Sequence, residues 1–572
     1  MIFFIKKFFT ILSLLTIWVL VSQVDVKDGK TQYKKENISN YFSGIISVNQ
    51  NHSKKAFRYL KKVQLLKDRH SKFNVEFVRT LVLLKKFDHA FSFSKNVWVK
   101  DDFIFEIDLL LGLNYFLNKD YSNAEEHFER LNKISRHNLF FDDFIGNILI
   151  SWSKAAQGNK EESFRLLEKI PATYRNITKT QNTLLKCYFG DSQTVKSFYE
   201  LINDENYNFS RYNFFLANHF LFNNQTEEAK NLIKNSNKKY YSNLLIKQTN
   251  LLFLNDENEK AKNFFNCKNP SDSIAEFFYV ISNLFSTEEN YKLSNFYLQI
   301  SLFLNNKFLP NTTLLAENYY FQDKNLLSKN VYESIKPIGE IYSWHASKRI
   351  ATILLDVKGK EYATSNLEKD FNLLSKPNFQ HYYEMANHYK DNKYYEKSIE
   401  YYSLALSKIK IDHPLTPKIL DRRGTSLERI DDWKNAEKDL TKSLKLLPDQ
   451  AHVINYLAYS WVDKGINLDK GLEMLKKANK LKENDGYIID SLGWAYYAKK
   501  NYEEAEFFLQ QAVELLPLDP IINYHYADVL WMLNKNIQAR YFWKYVLNLD
   551  TAEKKLKDDI RKRLIFGITK KL

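Results

Sequence analysis

The stretch "SLGWAYYAKKNYEEAEFFLQQAVELLPLDP" (residues 491–520) decides the fold, because its apolar residues follow helical spacing in two segments joined by a short turn. Gly493 in the first segment and Ala505 in the second are the predicted contact points of the two helices. Antiparallel helices approach closely only where small side chains meet, and larger apolar groups then fill the space on either side. The stretch therefore predicts one helical hairpin that ends in a Pro-bearing turn.

The same pattern recurs about every 34 residues. Near the C-terminus the small residues of the second helices are Ala436, Gly471, Ala505 and Ala539, and those of the first helices are Gly424, Ala458, Gly493 and Ala527. Upstream the second-helix register continues through Ala56, Ala90, Ala124, Ser163, Val195, Ala229, Ala261, Ser294, Ser328, Ala363 and Ser398, among which only Val195 is not small. The period predicts an all-α solenoid of about fifteen hairpins, none of which buries its apolar face alone.

These repeats resemble tetratricopeptide repeats. The likeness rests on the block that begins "AHVINYLAYSWVDKG" (residues 451–465), runs on through the hairpin quoted above and continues in "ADVLWMLNKNIQARYFWKYVLNLD" (residues 527–550). The block is similar to the long, export-signalled tetratricopeptide proteins of alphaproteobacteria and other Gram-negative bacteria. This resemblance implies a right-handed superhelix with a concave peptide-binding face, and it implies no reaction.

The register also places a set of residues on the inner face of the last three repeats. They are Asn455, Tyr459, Tyr487, Asp490, Trp494, Tyr497, Tyr524, Asp528 and Trp531. Aromatic rings provide a large contact area at low entropic cost, and two carboxylates favour a Lys- or Arg-bearing segment. We therefore predict a groove for an extended or helical peptide, with the alternative that these rings pack between adjacent repeats.

The N-terminus predicts a targeting or anchoring segment. Lys6 and Lys7 precede an uncharged apolar run at residues 8–21, and acidic residues follow it. The short length of the run favours a signal peptide, whereas the lack of a small-x-small cleavage site favours an uncleaved anchor. A buried core helix of a cytoplasmic protein is the third interpretation. We expect the chain at the bacterial inner membrane facing the periplasm, or in the periplasm if the segment is cleaved.

The pattern divides the chain into five segments. They are a signal peptide or signal anchor (1–24), a linker (25–36), degenerate repeats (37–380), well-formed repeats (381–551) and a charged C-terminal cap helix with its tail (552–572). In the last segment Leu556, Ile560 and Leu564 recur every four residues, which predicts a helix that covers the open end of the array. A basic helix that contacts a membrane is the alternative.

Composition and motifs give no sign of chemistry. The formal net charge of +15 comes mostly from Lys residues scattered along predicted helix surfaces, which indicates solvated faces rather than a nucleic-acid site. Short signatures for hydrolysis, nucleotide binding and metal binding are missing, and the repeats leave no segment for a catalytic domain. His381 and His388 lack an acid or Cys at ligand spacing, so we interpret both as polar surface or groove residues. We expect no catalytic residue, cofactor or metal.

The two cysteines, Cys187 and Cys267, lie far apart in the sequence. This spacing excludes a disulfide framework and a Cys-based zinc site of the usual close spacing. We expect both to be buried as small apolar residues, and the alternative is one disulfide bond between them in an oxidising compartment.

The leading hypothesis is a non-enzymatic scaffold or adaptor of the cell envelope that binds protein or peptide partners. A second class is a cytoplasmic or membrane-surface binder of nucleic acid or anionic lipid, driven by the positive charge. A third class is an enzyme with an unrecognised site in the groove. The sequence leaves the partner and the oligomeric state open.

Overall fold

The computed structural model describes residues 34–135, 144–240 and 242–568, and within these ranges the regular structure is entirely helical. The predicted signal peptide or anchor lies outside the described residues. Among the helices of these ranges, none is both long enough and apolar enough to cross a membrane. The chain divides into two compact units, Met1–Ile353 and Leu354–Leu572, and the division falls within helix α19.

The first unit begins with nine helix pairs. They are α1 (Lys35–Asn49) and α2 (Ser53–Leu60), α3 (Ser71–Leu83) and α4 (Phe87–Val97), α5 (Phe105–Leu117) and α6 (Tyr121–Ser135), α7 (Phe144–Ala156) and α8 (Lys160–Glu168), α9 (Arg175–Phe189) and α10 (Thr194–Ile202), α11 (Tyr212–Phe222) and α12 (Thr226–Lys239), α13 (Leu244–Leu254) and α14 (Asn258–Lys262), α15 (Pro270–Thr287) and α16 (Tyr291–Leu304), and α17 (Leu309–Phe321) and α18 (Asn325–Ile335). Short 3-10 helices follow at Lys61–Leu66, Ala172–Tyr174 and Lys336–Ile338.

The chain continues with helix α19 (Glu340–Lys358) and then α20 (Lys360–Phe371). The remaining helices are α21 (Phe379–Asp391) and α22 (Tyr395–Ser407), α23 (Thr416–Glu428) and α24 (Trp433–Leu446), α25 (Ala451–Asp463) and α26 (Leu468–Leu481), α27 (Gly486–Ala498) and α28 (Tyr502–Leu515), α29 (Pro520–Met532) and α30 (Asn536–Leu547), and the single C-terminal helix α31 (Lys554–Phe566). The described ranges therefore hold fifteen successive helix pairs and one terminal helix, as the period predicts.

The predicted small residue is the fourth residue of the second helix in fourteen of the fifteen pairs, and it is buried in each of them. The prediction is wrong at Val195, which is the second residue of α10 and only half-buried. The fourth residue there is the buried Ser197. Every second helix described thus carries Ala, Ser or Gly at this position.

A second row of small residues lies on the first helices. Its members precede the fourth residue of the second helix by twelve positions, or by thirteen in the pair that contains Gly471. Gly, Ala, Ser or Thr occupies it in thirteen pairs, with Val78 and Leu185 as the exceptions. Contacts confirm the close approach. A Cβ atom added to Gly493 would lie 2.7 Å from Leu509 Cγ and 3.1 Å from its backbone nitrogen.

Serine at these positions also bonds the facing helix. Ser294 Oγ donates to the Ser282 carbonyl at 2.7 Å, and Ser328 Oγ donates to the Ala316 carbonyl at 2.8 Å. A buried hydroxyl is costly unless it is hydrogen-bonded, and a helix backbone at this distance supplies the acceptor. Serine therefore serves the same close contact as alanine.

Each helix pair turns through a residue with a positive backbone φ angle. These residues are Asn51, Lys85, Lys119, Gly158, Gly190, Asn224, Asp256, Glu289, Asp323, Gly359, Lys393, Asp431, Gly465 with Asn467, Lys500 and Asn534. A left-handed residue ends the first helix and reverses the chain within a few residues. In most pairs it precedes the small residue of the second helix by five positions, which fixes the register of the hairpin.

In the first unit, helix pairs distant in sequence contact each other. The rings of Phe87 and Phe303 stack with centroids 4.1 Å apart, and Lys292 Nζ lies 3.0 Å from Glu76 Oε2. These contacts join the pair α3–α4 to the pair α15–α16. The first unit is therefore held by more than the stacking of successive hairpins.

Cys187 and Cys267 form a disulfide bond in the same unit, with Cα atoms 5.9 Å apart. Both residues are buried, as expected, and the bond is the alternative that the sequence left open. The bond links α9 to the segment before α15, and the two cysteines are 80 residues apart in the chain.

In the second unit, α31 occupies the end of the array. Ile560 is fully buried, and Leu556 and Leu564 pack on the apolar cluster that includes Ala539, Trp543 and Val546. The predicted apolar stripe thus faces α30 and its neighbours, which is the arrangement of a capping helix.

Substituting Gly493 with Val should overpack the contact between α27 and α28, because the new Cβ atom alone would lie 2.7 Å from Leu509 Cγ and 3.1 Å from the Leu509 backbone nitrogen. We expect the free energy of unfolding to fall by about 1–3 kcal/mol, measured by urea denaturation of the full chain. Gln510→Val on the exposed side of α28 is the matched control and should cost about 0.5 kcal/mol or less. Equal effects of the two substitutions would contradict the assignment of Gly493 as a contact point.

Candidate partner-binding face of the second unit

The nine predicted site residues all lie on first helices of the second unit. Helix α25 carries Asn455 and Tyr459, α27 carries Tyr487, Asp490, Trp494 and Tyr497, and α29 carries Tyr524, Asp528 and Trp531. We call this set the aromatic face. Apart from Tyr487, its residues recur on successive first helices at three offsets from the small contact residue: three positions before it, one after it and four after it.

His525 lies at the centre of this face, although the sequence analysis did not select it. Its ring stacks on Trp494 with centroids 4.0 Å apart, and Trp494 stacks on Tyr497 at 4.5 Å. The Nδ1 atom of His525 lies 3.0 Å from Asp490 Oδ1. Burial lowers the pKa of His525, but the nearby Asp490 carboxylate outweighs this effect, and the net pKa is raised. The pair is therefore a buried contact between α27 and α29 that favours the protonated imidazole.

Asp528 has partners within the chain as well. Trp543 Nε1 donates to its Oδ1 atom at 3.1 Å, and the Arg563 guanidinium of α31 donates to its Oδ2 atom. Burial raises the pKa of Asp528 to about 6, against the opposing effect of Arg563. Both acidic residues of the predicted groove thus have intramolecular cationic partners.

The α29 part of the aromatic face contacts α30 and α31. Arg563 lies over the Tyr524 ring at 4.6 Å, and the Tyr524 hydroxyl donates to Asp559 at 2.8 Å. Trp531 packs against the Trp543 ring with centroids 5.3 Å apart. In this part the rings pack on the second helix of the same pair and on the terminal helix.

The α25 and α27 part is more open. Tyr487 is 58% exposed, and Asn455, Tyr459, Trp494 and Tyr497 are half-buried. Burial raises the pKa of Tyr459 and of Tyr497. Both hydroxyls stay protonated at neutral pH, so each can donate one hydrogen bond and accept others. This part offers aromatic surface and neutral donors to a partner.

The two histidines interpreted as surface or groove residues differ from each other. His381 is buried, and its ring caps the start of α21 together with Asn378, so the interpretation is wrong for this residue. His388 is half-buried and bonds Thr364 Oγ1 through Nε2 at 2.9 Å. Local capping and packing account for both side chains.

Comparison with known proteins adds the following. The tetratricopeptide repeat family model matches residues 488–519, a range that includes all of α28. A TPR repeat-containing protein of Pseudomonas aeruginosa is 32% identical over 105 residues, and the match covers only 18% of each chain. Among solved structures, a thermophilic TPR protein of Thermus thermophilus matches 32% of this chain and 98% of its own at 16% identity and a TM-score of 0.29. The APC/C hetero-tetramer Cut9–Hcn1 matches 93% of this chain and 97% of its own at 14% identity and a TM-score of 0.35.

The His525–Asp490 pair predicts a specific dependence of stability on pH. The raised pKa means that the folded chain keeps a proton that the unfolded chain loses, so this stabilisation is complete below pH 6.5 and disappears as the pH rises through the folded pKa. We expect His525→Gln to remove this fall in the free energy of unfolding above pH 6.5, measured by denaturation of the full chain.

His388 is the matched control, because burial lowers its pKa. Its contribution has the opposite sign: stability rises with pH up to about 6.5. His388→Gln should therefore alter the profile below pH 6.5 and leave the higher range unchanged. A profile above pH 6.5 that is the same in wild type and His525→Gln would refute the ionic pair.

Proposed function

This chain is a tetratricopeptide repeat protein, and from that premise we propose that it is a non-enzymatic scaffold of the bacterial cell envelope. Tetratricopeptide repeats are protein-interaction modules, and stacked helical repeats provide extended binding surfaces. The partner is a protein or peptide that docks on the α25–α27 part of the aromatic face.

One observation carries this proposal: Tyr487 is exposed on α27, the helix that also carries the half-buried rings of Trp494 and Tyr497. Binding energy at protein interfaces concentrates in such aromatic side chains, which lose little entropy on ordering. Here the surrounding rings are already fixed by stacking, so a partner meets a preorganised surface.

The contacts refine the chemistry of the partner. Asp490 and Asp528 are buried and already paired with His525 and Arg563, so they are poor attractants for an incoming Lys or Arg. The open part supplies rings, hydroxyls and the Asn455 amide. We propose a segment with apolar side chains and backbone or hydroxyl groups that can hydrogen-bond, rather than a strongly basic peptide.

The positive charge gives less support to a nucleic-acid or lipid binder. Several lysines of the second unit pair with acids of a neighbouring helix pair, such as Lys535 with Glu506 at 2.5 Å and Lys499 with Asp469. A phosphate-binding surface needs unpaired cations on one face. These lysines are instead already paired with carboxylates.

The proposed location at the inner membrane, facing the periplasm, rests on two features. The N-terminal sequence places Lys residues before an apolar run and acids after it. The Cys187–Cys267 bond is of the kind that persists in oxidising compartments such as the periplasm.

The docking surface can be tested by photo-crosslinking at single positions in living cells. A benzophenone side chain at position 487 should capture a specific envelope protein, whereas the same group at position 541 should not. Tyr541 is the matched control, since it is 65% exposed but lies on the second helix α30. With the purified partner, Tyr487→Ala should weaken binding by about 10-fold or more and Tyr541→Ala should have little effect. Equal capture at both positions, or none at either, would contradict the proposed face.

The location is tested separately with a reporter enzyme that is active only in the periplasm, fused after residue 568. We expect activity from the full chain and none when residues 1–24 are deleted. The location would be wrong if the reporter were inactive on the full chain as well as on the shortened chain and if the protein fractionated with the cytosol. That result would contradict an envelope scaffold but would not test protein binding.

A further inference from the structure

Three side chains with metal-binding chemistry meet in the first unit. Cys187 comes from α9, His219 from α11, and Cys267 from the segment between α14 and α15. The Nδ1 atom of His219 lies 3.4 Å from Cys187 Sγ, and the ligand atoms of all three residues lie within 4.8 Å of one another. No other group of three or more His, Cys, Asp or Glu residues within the described ranges is placed closely enough to hold a metal ion.

The histidine is the unexpected member of this group. A disulfide bond needs only the two cysteines, and an imidazole against one of the sulfur atoms adds nothing to the bond itself. An imidazole binds a metal through a ring nitrogen, and His219 already places Nδ1 against one of the two sulfur atoms. The amide nitrogen of Asn223 lies 3.2 Å from the other ring nitrogen, Nε2, so the Asn223 amide would have to turn its oxygen to this nitrogen to accept from an imidazole that ligates through Nδ1.

We propose that the reduced protein binds one zinc ion through Cys187, His219 and Cys267, and that the disulfide is the oxidised state of the same site. Two thiolates and one imidazole are an established ligand set for zinc, and water completes the tetrahedron when the protein supplies three ligands. Consecutive ligands lie 32 and 48 residues apart in the chain, so the site has no close-spaced metal-binding motif in the sequence. This inference does not depend on the proposed partner-binding function.

The two states interconvert by thiol–disulfide exchange with a disulfide-bonded oxidant. One zinc-bound thiolate attacks the oxidant and forms a mixed disulfide, which releases the first thiolate of the oxidant. The second cysteine thiolate then attacks the protein sulfur of the mixed disulfide and releases the second thiolate of the oxidant. The products are the Cys187–Cys267 bond, two thiolates from the oxidant and free Zn²⁺, so two electrons pass from the protein to the oxidant. Both states join α9 to the segment before α15, and the zinc state also includes α11.

The experiment uses the full chain, reduced with a phosphine under nitrogen and freed of metal. Zinc is titrated in competition with a chromophoric chelator, and cobalt is titrated separately to detect thiolate-to-metal absorption. We expect one zinc ion per reduced chain, none per oxidised chain, and a thiolate–cobalt band that disappears on oxidation. Circular dichroism of each sample reports whether the helices persist.

Variants identify the ligands. His219→Ala keeps both cysteines and can still form the disulfide, but in its reduced form it should bind zinc at least about 10-fold more weakly than the wild type. The double variant with Cys187→Ser and Cys267→Ser should not bind zinc. His89→Ala, which changes another partly buried histidine of the same unit, should bind zinc like the wild type. The proposal is overturned if the reduced wild type binds no more zinc than the double serine variant, if His219→Ala binds as tightly as wild type, or if reduction unfolds the chain and zinc fails to restore it.

Discussion

Close contact between two helices at a pair of small residues is the constraint on which the rest of this structure depends. The fourth residue of each second helix described is Ala, Ser or Gly, and in most pairs a small residue lies twelve positions earlier. The left-handed turn residue between them sets that spacing. At Gly493 even one added Cβ atom would lie 2.7 Å from Leu509 Cγ and 3.1 Å from the Leu509 backbone nitrogen, so this contact leaves little room for a side chain. The turn and the contact together specify the hairpin.

Hairpins of this kind leave apolar surface that the next hairpin must cover. The two units add different contacts to that stacking. In the first, a disulfide bond and the Phe87–Phe303 stack join pairs that are distant in sequence. In the second, α31 covers the last pair and Arg563 reaches Asp528. The proposed partner-binding surface is the part that packing leaves uncovered, around Tyr487.

Much of the fold follows from the sequence because the small-residue period is local. It predicts fifteen hairpins, and its error at Val195 arises where the turn residue Gly190 precedes Ser197 by seven positions instead of five. The aromatic face could be located by register alone. The register of the inner face does not by itself give the charge balance of the aromatic face, since His525 and Arg563 reach Asp490 and Asp528 across 35 residues in each case. A search for opposite charges one repeat apart would have found both pairs. The role of the face in binding remains a prediction.

The central claim is tested most directly in the first unit, where the repeats are weakest in sequence. Ser328 Oγ lies 2.8 Å from the Ala316 carbonyl, whereas Asn330, two positions further along α18, is exposed. With cysteines at 316 and 328, mild oxidation of the full chain should form a disulfide bond, because the two backbones approach within bonding reach. Cysteines at 316 and 330 should stay reduced. Bonding of both pairs to the same extent, or of neither, would contradict the account that small residues hold these helices together.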